Sequence, residues 1–270
     1  MKRHNLFLTN SVLLLFLLFT FGSCDDSNEL EEHNWQIVWQ DEFDTEGAPD
    51  ATKWAYEIGG GGWGNAELQT YTDKAENVVV EDGVLKITAL NNGSPYTSAR
   101  IITKGLFEQA YGRFEARIKM PYGPGIWPAF WLLGDDTDQN PWPQCGEIDI
   151  MEYRGQQPNI IHGSVHGPGY SGGSPITKSF GLQNGRFDTN FHVYSIEWGK
   201  DYIHYYVDDL IYQEITPEDV EGKGDWVYDH PFYILLNLAV GGNYVGLPTV
   251  ETVFPQTMEV DWVRVSHEVE

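Results

Sequence analysis

Three carboxylates fall within one six-residue run, Glu147-Ile148-Asp149-Ile150-Met151-Glu152, whose remaining residues read as a strand. Two acids so placed can cut a glycosidic bond. One, ionised, attacks the anomeric carbon; the other, protonated, gives its proton to the leaving oxygen, with the carboxyl groups about 5–5.5 Å apart. Asp149, between them, can hydrogen-bond Glu147 and set a like charge beside the acid, which drives apart the two pKa values the roles require. Strand geometry sets an obstacle. Side chains alternate faces, so Glu147 and Asp149 share a side while Glu152, five positions on, points away. A β-bulge at Met151 would add a residue without a partner and return Glu152 to the face of the other two, leaving Ile148 and Ile150 for the core. Acids at these offsets also occur on solvated strands, so the pattern alone leaves that reading open.

The elements that must position the run are strands. Phe114, Ala116, Ile118 and Met120 alternate with Arg113, Glu115, Arg117 and Lys119, and Leu85, Ile87 and Ala89 alternate with Lys86 and Thr88. Further strands are predicted at 35–40, 128–133, 146–153, 160–166, 191–199, 202–207, 210–214, 232–240 and 258–265, with Asp208-Asp209 as a hairpin turn. No segment carries a long amphipathic helical pattern, and no internal repeat is present. Many short strands in one domain predict an all-β fold, a two-sheet antiparallel sandwich. Gly59 to Gly64 and Gly167 to Gly173 read as loops where backbone can turn tightly or pass close to a ligand.

A chain of 270 residues suits one large domain. Its net charge of −24 repels phosphate backbones and anionic bilayers, whereas a neutral polysaccharide meets no such penalty. Ten Trp, within an aromatic content of 14%, suit stacking against sugar rings, although core packing uses the same residues. Trp127 and Trp131, four apart after Gly123-Pro124-Gly125, share a strand face, and Trp63 is flanked by Gly; each is a candidate sugar platform, with core packing the alternative. His162, His192 and His204 lie in alternating strands without metal-ligand spacing and read as structural.

The first residues read as an export signal. Lys2-Arg3-His4 is a positive n-region, Val12 to Phe21 an apolar stretch short for a membrane span, and Gly22-Ser23-Cys24 a small-residue site ending in cysteine. It resembles a bacterial lipoprotein signal over 1–23, with Cys24 lipidated and an acidic polar tether over 24–34. Outer-membrane, cell-surface display is expected; a periplasm-facing anchor, or ordinary secretion, is the alternative. Lipidation of Cys24 would exclude an intramolecular disulfide, and Cys145 reads as a small buried packing residue.

Around the acid run, Gly146-Glu147-Ile148-Asp149-Ile150-Met151-Glu152 and Gly125-Ile126-Trp127-Pro128-Ala129-Phe130-Trp131-Leu132-Leu133-Gly134 strongly resemble family 16 of the glycoside hydrolases, and within it the bacterial laminarinases, endo-β-1,3-glucanases. Further matching blocks include Trp39-Gln40-Asp41-Glu42-Phe43, Gly62 to Gln69, Tyr96 to Arg100, Tyr111 to Glu115, Asn237 to Gly242 and Val260 to Val265, so the likeness covers nearly all of 35–270. The resemblance implies a concanavalin-like jelly roll and a retaining mechanism with Glu147 as nucleophile, Glu152 as acid/base and Asp149 as their assistant. The six-residue form with Met151 resembles the laminarinase branch, since the lichenase and carrageenase branches use a shorter form without a bulge.

The resemblance further implies that Trp63, Asn65, Glu67, Arg100, Trp127, Trp131, His166 and Asn237 line the cleft, with Trp127 beside the scissile bond. It implies no catalytic cofactor and a structural Ca²⁺ held by Glu42, Asp261 and the carbonyl of Gly83, oxygen donors of the type that ion prefers. The expected activity is endo-hydrolysis of laminarin-type β-glucan by a monomer with no nucleic-acid partner, touching the membrane only through Cys24. Alternatives are a same-family enzyme acting on mixed-linkage glucan or a galactan, a transglycosylase, and a non-catalytic surface glycan-binding protein.

Overall fold

Every second side chain is buried along Gly112–Lys119 and along most of Val84–Asn91, the period a half-buried strand imposes. The structure, a computed structural model, describes residues 34–93 and 95–269. The signal run and Cys24 lie outside the described residues.

In chain order the strands are β1 (Trp35–Asp41), β2 (Ala55–Tyr56), β3 (Gln69–Tyr71), β4 (Val78–Glu81), β5 (Val84–Asn91), β6 (Tyr96–Ser98), β7 (Arg100–Ile102), β8 (Glu108–Gln109), β9 (Gly112–Lys119), β10 (Ile126–Gly134), β11 (Glu147–Tyr153), β12 (Ile160–His166), β13 (Ile176–Gly181), β14 (His192–Gly199), β15 (Tyr202–Val207), β16 (Leu210–Ile215), β17 (Phe232–Val240) and β18 (Gln256–Glu268). A one-turn helix, α1 (Pro217–Val220), follows β16. Every strand predicted from the sequence forms. Asp208 and Asp209 turn the β15–β16 hairpin with φ of +48° and +66°, the left-handed pair that a two-residue hairpin favours. The additional strands are β4, pieces of two or three residues (β2, β3, β6, β7 and β8), and the largely exposed β13.

One sheet of ten strands runs β16-β15-β14-β9-β18-β5-β6-β3, with β1 also on β18 and β4 also on β5. The other, of eight, runs β13-β12-β11-β10-β17-β7-β2, with β8 also on β17. Apart from the parallel β3–β6 pair, all pairings of named strands are antiparallel. The main core lies between the sheets. Ile126, Phe130 and Leu132 of β10 and Phe232, Ile234, Leu236, Leu238 and Val240 of β17 enter it with Ile87, Phe114, Ile196 and Val263. The alternate residues of β10 and β17 face the other way: Leu133, Tyr233 and Leu235 join Cys145 and Ile102 in a second apolar cluster, with Trp131 packed against it. That outward face of the eight-stranded sheet carries the polar residues described next.

Candidate active site

On β11 the alternation breaks where the acid run demands it. Toward β10, Glu147, Ile148 and Asp149 pair with Leu133, Leu132 and Trp131, then Met151 and Glu152 with Phe130 and Ala129, so Ile150 is skipped. Toward β12, Asp149 pairs with Ser164 and Glu152 with His162, so Ile150 and Met151 oppose Gly163 alone. The bulge therefore spans Ile150-Met151, and against β10 the extra residue is Ile150, where the sequence placed it at Met151. Ile148, Ile150 and Met151 are all buried in the main core. A side chain at Gly163 would collide with Tyr212 and Tyr205, which press on β12 from the core side, so the residue opposite the bulge has no room for a Cβ.

With the parity reset, the three acids meet. Glu147 and Asp149 hydrogen-bond each other, and Nε2 of His166 on β12 stands 3.1 Å from Asp149 Oδ2 and 3.7 Å from Glu147 Oε1. The indole Nε1 of Trp127 donates to Glu152 Oε1 at 3.0 Å. Trp142, in the loop before β11, donates to Glu147 and lies across the His166 ring at a centroid distance of 6.1 Å.

Burial is the main cause of raised carboxyl pKa values here. It lifts Glu147 to about 8, aided by the charge of Asp149 and opposed by His166, and it lifts Asp149 to about 7. Glu152 is held well above the usual carboxyl range, first by burial and then by the charges of Asp149 and Glu147. Glu152 is thus the carboxyl most ready to carry a proton at neutral pH. Glu147 lies beside the imidazole of His166 and the indole of Trp142, both of which favour its anion.

The wall on the β7–β17 side is a stack. The Arg100 guanidinium lies between two indoles, 4.9 Å from the Trp63 ring centroid and 4.7 Å from that of Trp131, and is ion-paired with Glu57. Trp131 Nε1 donates to Asn237 Oδ1 at 2.7 Å, Asn237 Nδ2 to the Tyr71 hydroxyl at 3.1 Å, and that hydroxyl to Glu67 Oε2 at 3.3 Å. Gln69 also donates to Glu67, whose carboxyl burial pushes up, and accepts from the Val240 amide. Asn65 is exposed, its amide 3.5 Å from Glu67 Oε1. The expected cleft residues on this side therefore form one connected wall. Trp127, on the other side, packs against Tyr244 with centroids 4.9 Å apart.

Four residues here escape sequence reasoning. Trp142 reaches the acids from a loop. Tyr244, stacked under Arg154 at 4.0 Å, comes from the segment after β17. Tyr71 and Gln69 sit on a three-residue strand. His162, read from sequence as structural, lies opposite Glu152 in the β11–β12 register and edge-on to Tyr244; burial and the Arg154 charge hold it near pKa 4 and hence neutral.

The expected calcium ligands are otherwise engaged. Both oxygens of Glu42 accept from Arg264, at 2.7 and 2.8 Å, and Asp261 accepts from Arg117. Gly83 closes the two-residue hairpin between β4 and β5 with φ of +73°. A set whose two carboxylates are each neutralised by a guanidinium does not fit a calcium site. Cys145, as expected, is a fully buried free thiol, its pKa raised by that burial.

Residues 65–264 match the model of the family described as "Glycosyl hydrolases family 16". The chain is 41% identical to a beta-glucanase of Rhodothermus marinus over 94% of each sequence, and 35% identical to a glucan endo-1,3-beta-glucosidase of Cryptopygus antarcticus over 97% of this chain and 96% of that one. Its structure superimposes on the laminarinase catalytic domain of Thermotoga maritima MSB8 with a TM-score of 0.83 at 44% identity, covering 88% of this chain and all of that domain.

Proposed function

This chain belongs to glycosyl hydrolase family 16, and from that membership we infer that it is a retaining endo-β-1,3-glucanase with the jelly-roll fold, cutting internal bonds of laminarin-type β-glucan. One observation carries the assignment of residues: the Ile150-Met151 bulge sets Glu152 on the face of Glu147 and Asp149. In the first step a Glu147 carboxylate oxygen bonds to C1 as the C1–O bond to the leaving sugar breaks, and the Glu152 proton passes to that oxygen. In the second, Glu152 takes a proton from water, the water oxygen bonds to C1, and Glu147 leaves as carboxylate. Asp149 and His166 set the charge on Glu147, Trp127 orients Glu152, and the Trp63–Arg100–Trp131 stack with Asn65, Glu67 and Asn237 holds the glucan.

The test is hydrolysis of laminarin by Glu147→Gln and Glu152→Gln. Each loses at least about a hundredfold in kcat while the circular dichroism spectrum stays unchanged, and NMR of the first wild-type products shows the β-anomer. Near-native turnover by either variant overturns the assignment. Laminarin, lichenan and agarose compared side by side place the enzyme among the linkage specialists; laminarin is expected to be cut fastest, with an early spread of oligosaccharides.

Two further readings belong with this one. The Lys2 to Cys24 run supports export as a lipoprotein anchored at Cys24 and displayed at the cell surface; Cys24→Ser should release the chain from the membrane fraction. No calcium-dependent step is proposed, because an ion at Glu42 and Asp261 would have to displace Arg264 and Arg117.

A further inference from the structure

Just beyond the acid cluster, the end of β10 and the approach to β17 bring together Asp135, Asp136 and His230, whose candidate ligand atoms all lie within 4.8 Å of one another. Backbone contacts fix the meeting point. Gly134 pairs with Phe232, the Gly134 amide donates to the Gly146 carbonyl at 3.2 Å, and the Asp135 amide donates to the Pro231 carbonyl at 3.1 Å. A Cβ at Gly134 would lie 2.7 Å from His230 Nε2 and collide with the Cys145 carbonyl, so this glycine is what lets the imidazole come so close.

The side chains are aimed as a donor set. Asn140 holds Asp136 Oδ2, which leaves Oδ1 turned toward His230 Nε2 at 3.2 Å. Both of those atoms are buried and neither makes a hydrogen bond. The His230 ring rests on Phe232 with centroids 4.9 Å apart, and its other nitrogen, Nδ1, faces Asp229 Oδ1 at 3.7 Å. All three side chains are half-buried, so the cluster lies close to the surface.

We propose that Asp135, Asp136 and His230 form a binding site for a divalent transition-metal ion of the Zn²⁺ type, which ties the end of β10 to the start of β17. One imidazole nitrogen with two carboxylate oxygens suits Zn²⁺, whereas Ca²⁺ and Mg²⁺ call for oxygen donors throughout. Ligand atoms of a tetrahedral zinc site stand roughly 3.4 Å apart, so the His230–Asp136 separation already fits and only a small approach of Asp135 completes three ligands, with water as the fourth. The strands so joined carry Trp127, Trp131 and Asn237, and the ion acts on stability without entering the reaction.

The experiment uses the full-length chain, purified in detergent and stripped with a chelator, titrated with Zn²⁺ by calorimetry and by thermal unfolding. Because Glu147, Asp149 and His166 also gather within 4.8 Å, Glu147→Gln is run in parallel. Zn²⁺ should raise the Tm of wild type and of Glu147→Gln alike. His230→Gln, Asp136→Asn and Asp135→Asn should each lose that rise and weaken one binding equivalent by about tenfold or more. Laminarin hydrolysis at wild-type rate shows that those three variants are folded. The proposal is overturned if the wild type binds no Zn²⁺ saturably, or if the three variants bind it as wild type does; a rise that vanishes only in Glu147→Gln assigns the ion to the acid cluster and also overturns it.

Discussion

Trp127 and Glu152 are joined by a 3.0 Å hydrogen bond from indole Nε1 to carboxylate Oε1, across the β10–β11 pair and close to the bulge. The donor favours the anion of Glu152, so it lowers a pKa that burial otherwise raises. Trp127→Phe keeps a flat ring and removes the donor. The pKa of the acid then rises, and the alkaline limb of the kcat/KM profile moves up by about one pH unit, with kcat lower by about tenfold. A limb that stays in place or moves down would show that Glu152 does not set it.

The acidic limb belongs to the Glu147–Asp149 pair. As the proposed nucleophile Glu147 must be ionised, and with its carboxyl lifted to about 8 and that of Asp149 to about 7, protonation should silence the pair well above the ordinary carboxyl range. Activity should therefore fall as pH drops through about 8 to 7, and not near the value of about 4.3 for a free glutamate. The two acids alone would place the optimum on the acidic side of neutrality; burial moves it toward neutral pH or above. A kcat/KM profile from pH 4 to 10 decides, and an acidic limb at or below about 4.3 contradicts the buried geometry.

Arg100 acts as a spacer between Trp63 and Trp131, since a planar cation can lie against an indole on each side. Lysine at this position keeps the charge and loses the plane. Each cation–π contact contributes about 0.5–2 kcal/mol, so Arg100→Lys should raise the KM for laminarin roughly tenfold and leave kcat nearly unchanged. A fall in kcat at constant KM would place Arg100 in the bond-breaking step instead.

Much of this arrangement can be read from residue order because strand parity is a local property. Ile148 and Ile150 had to face one way, and once Glu152 is required on the side of Glu147 a bulge follows, though not which residue is skipped: Ile150 is identified only by the partners on β10 and β12. Trp127 and Trp131 could be placed on one face by their spacing. Trp142 and Tyr244 could not, since loops bring them to the site and their path depends on tertiary packing. His162 has the right parity, yet its position opposite Glu152 depends on inter-strand register. Strands as short as β2, β3 and β7 hold too few residues to show a period. Glu42 and Asp261 could be matched to a calcium set by resemblance, but their arginine partners Arg264 and Arg117 come from pairing across the ten-stranded sheet.

Removing Ile150 tests the bulge directly. Without it, Met151 still meets Phe130 and Gly163, Glu152 still meets Ala129 and His162, and a regular strand puts all three acids on one face. The cost is the buried side chain, about 2–5 kcal/mol, or a Tm lower by roughly 5–15 °C. The deletion variant should fold and hydrolyse laminarin faster than Glu152→Gln. A folded deletion variant no more active than Glu152→Gln would show that the bulge places the acids in a way a straight strand cannot.

Because the ladders on both sides close over the gap, loss of a single codon at this position would shorten the acid-bearing strand, and gain would lengthen it, with the flanking residues keeping their partners on β10 and β12. Acid runs of either length then stand one codon apart.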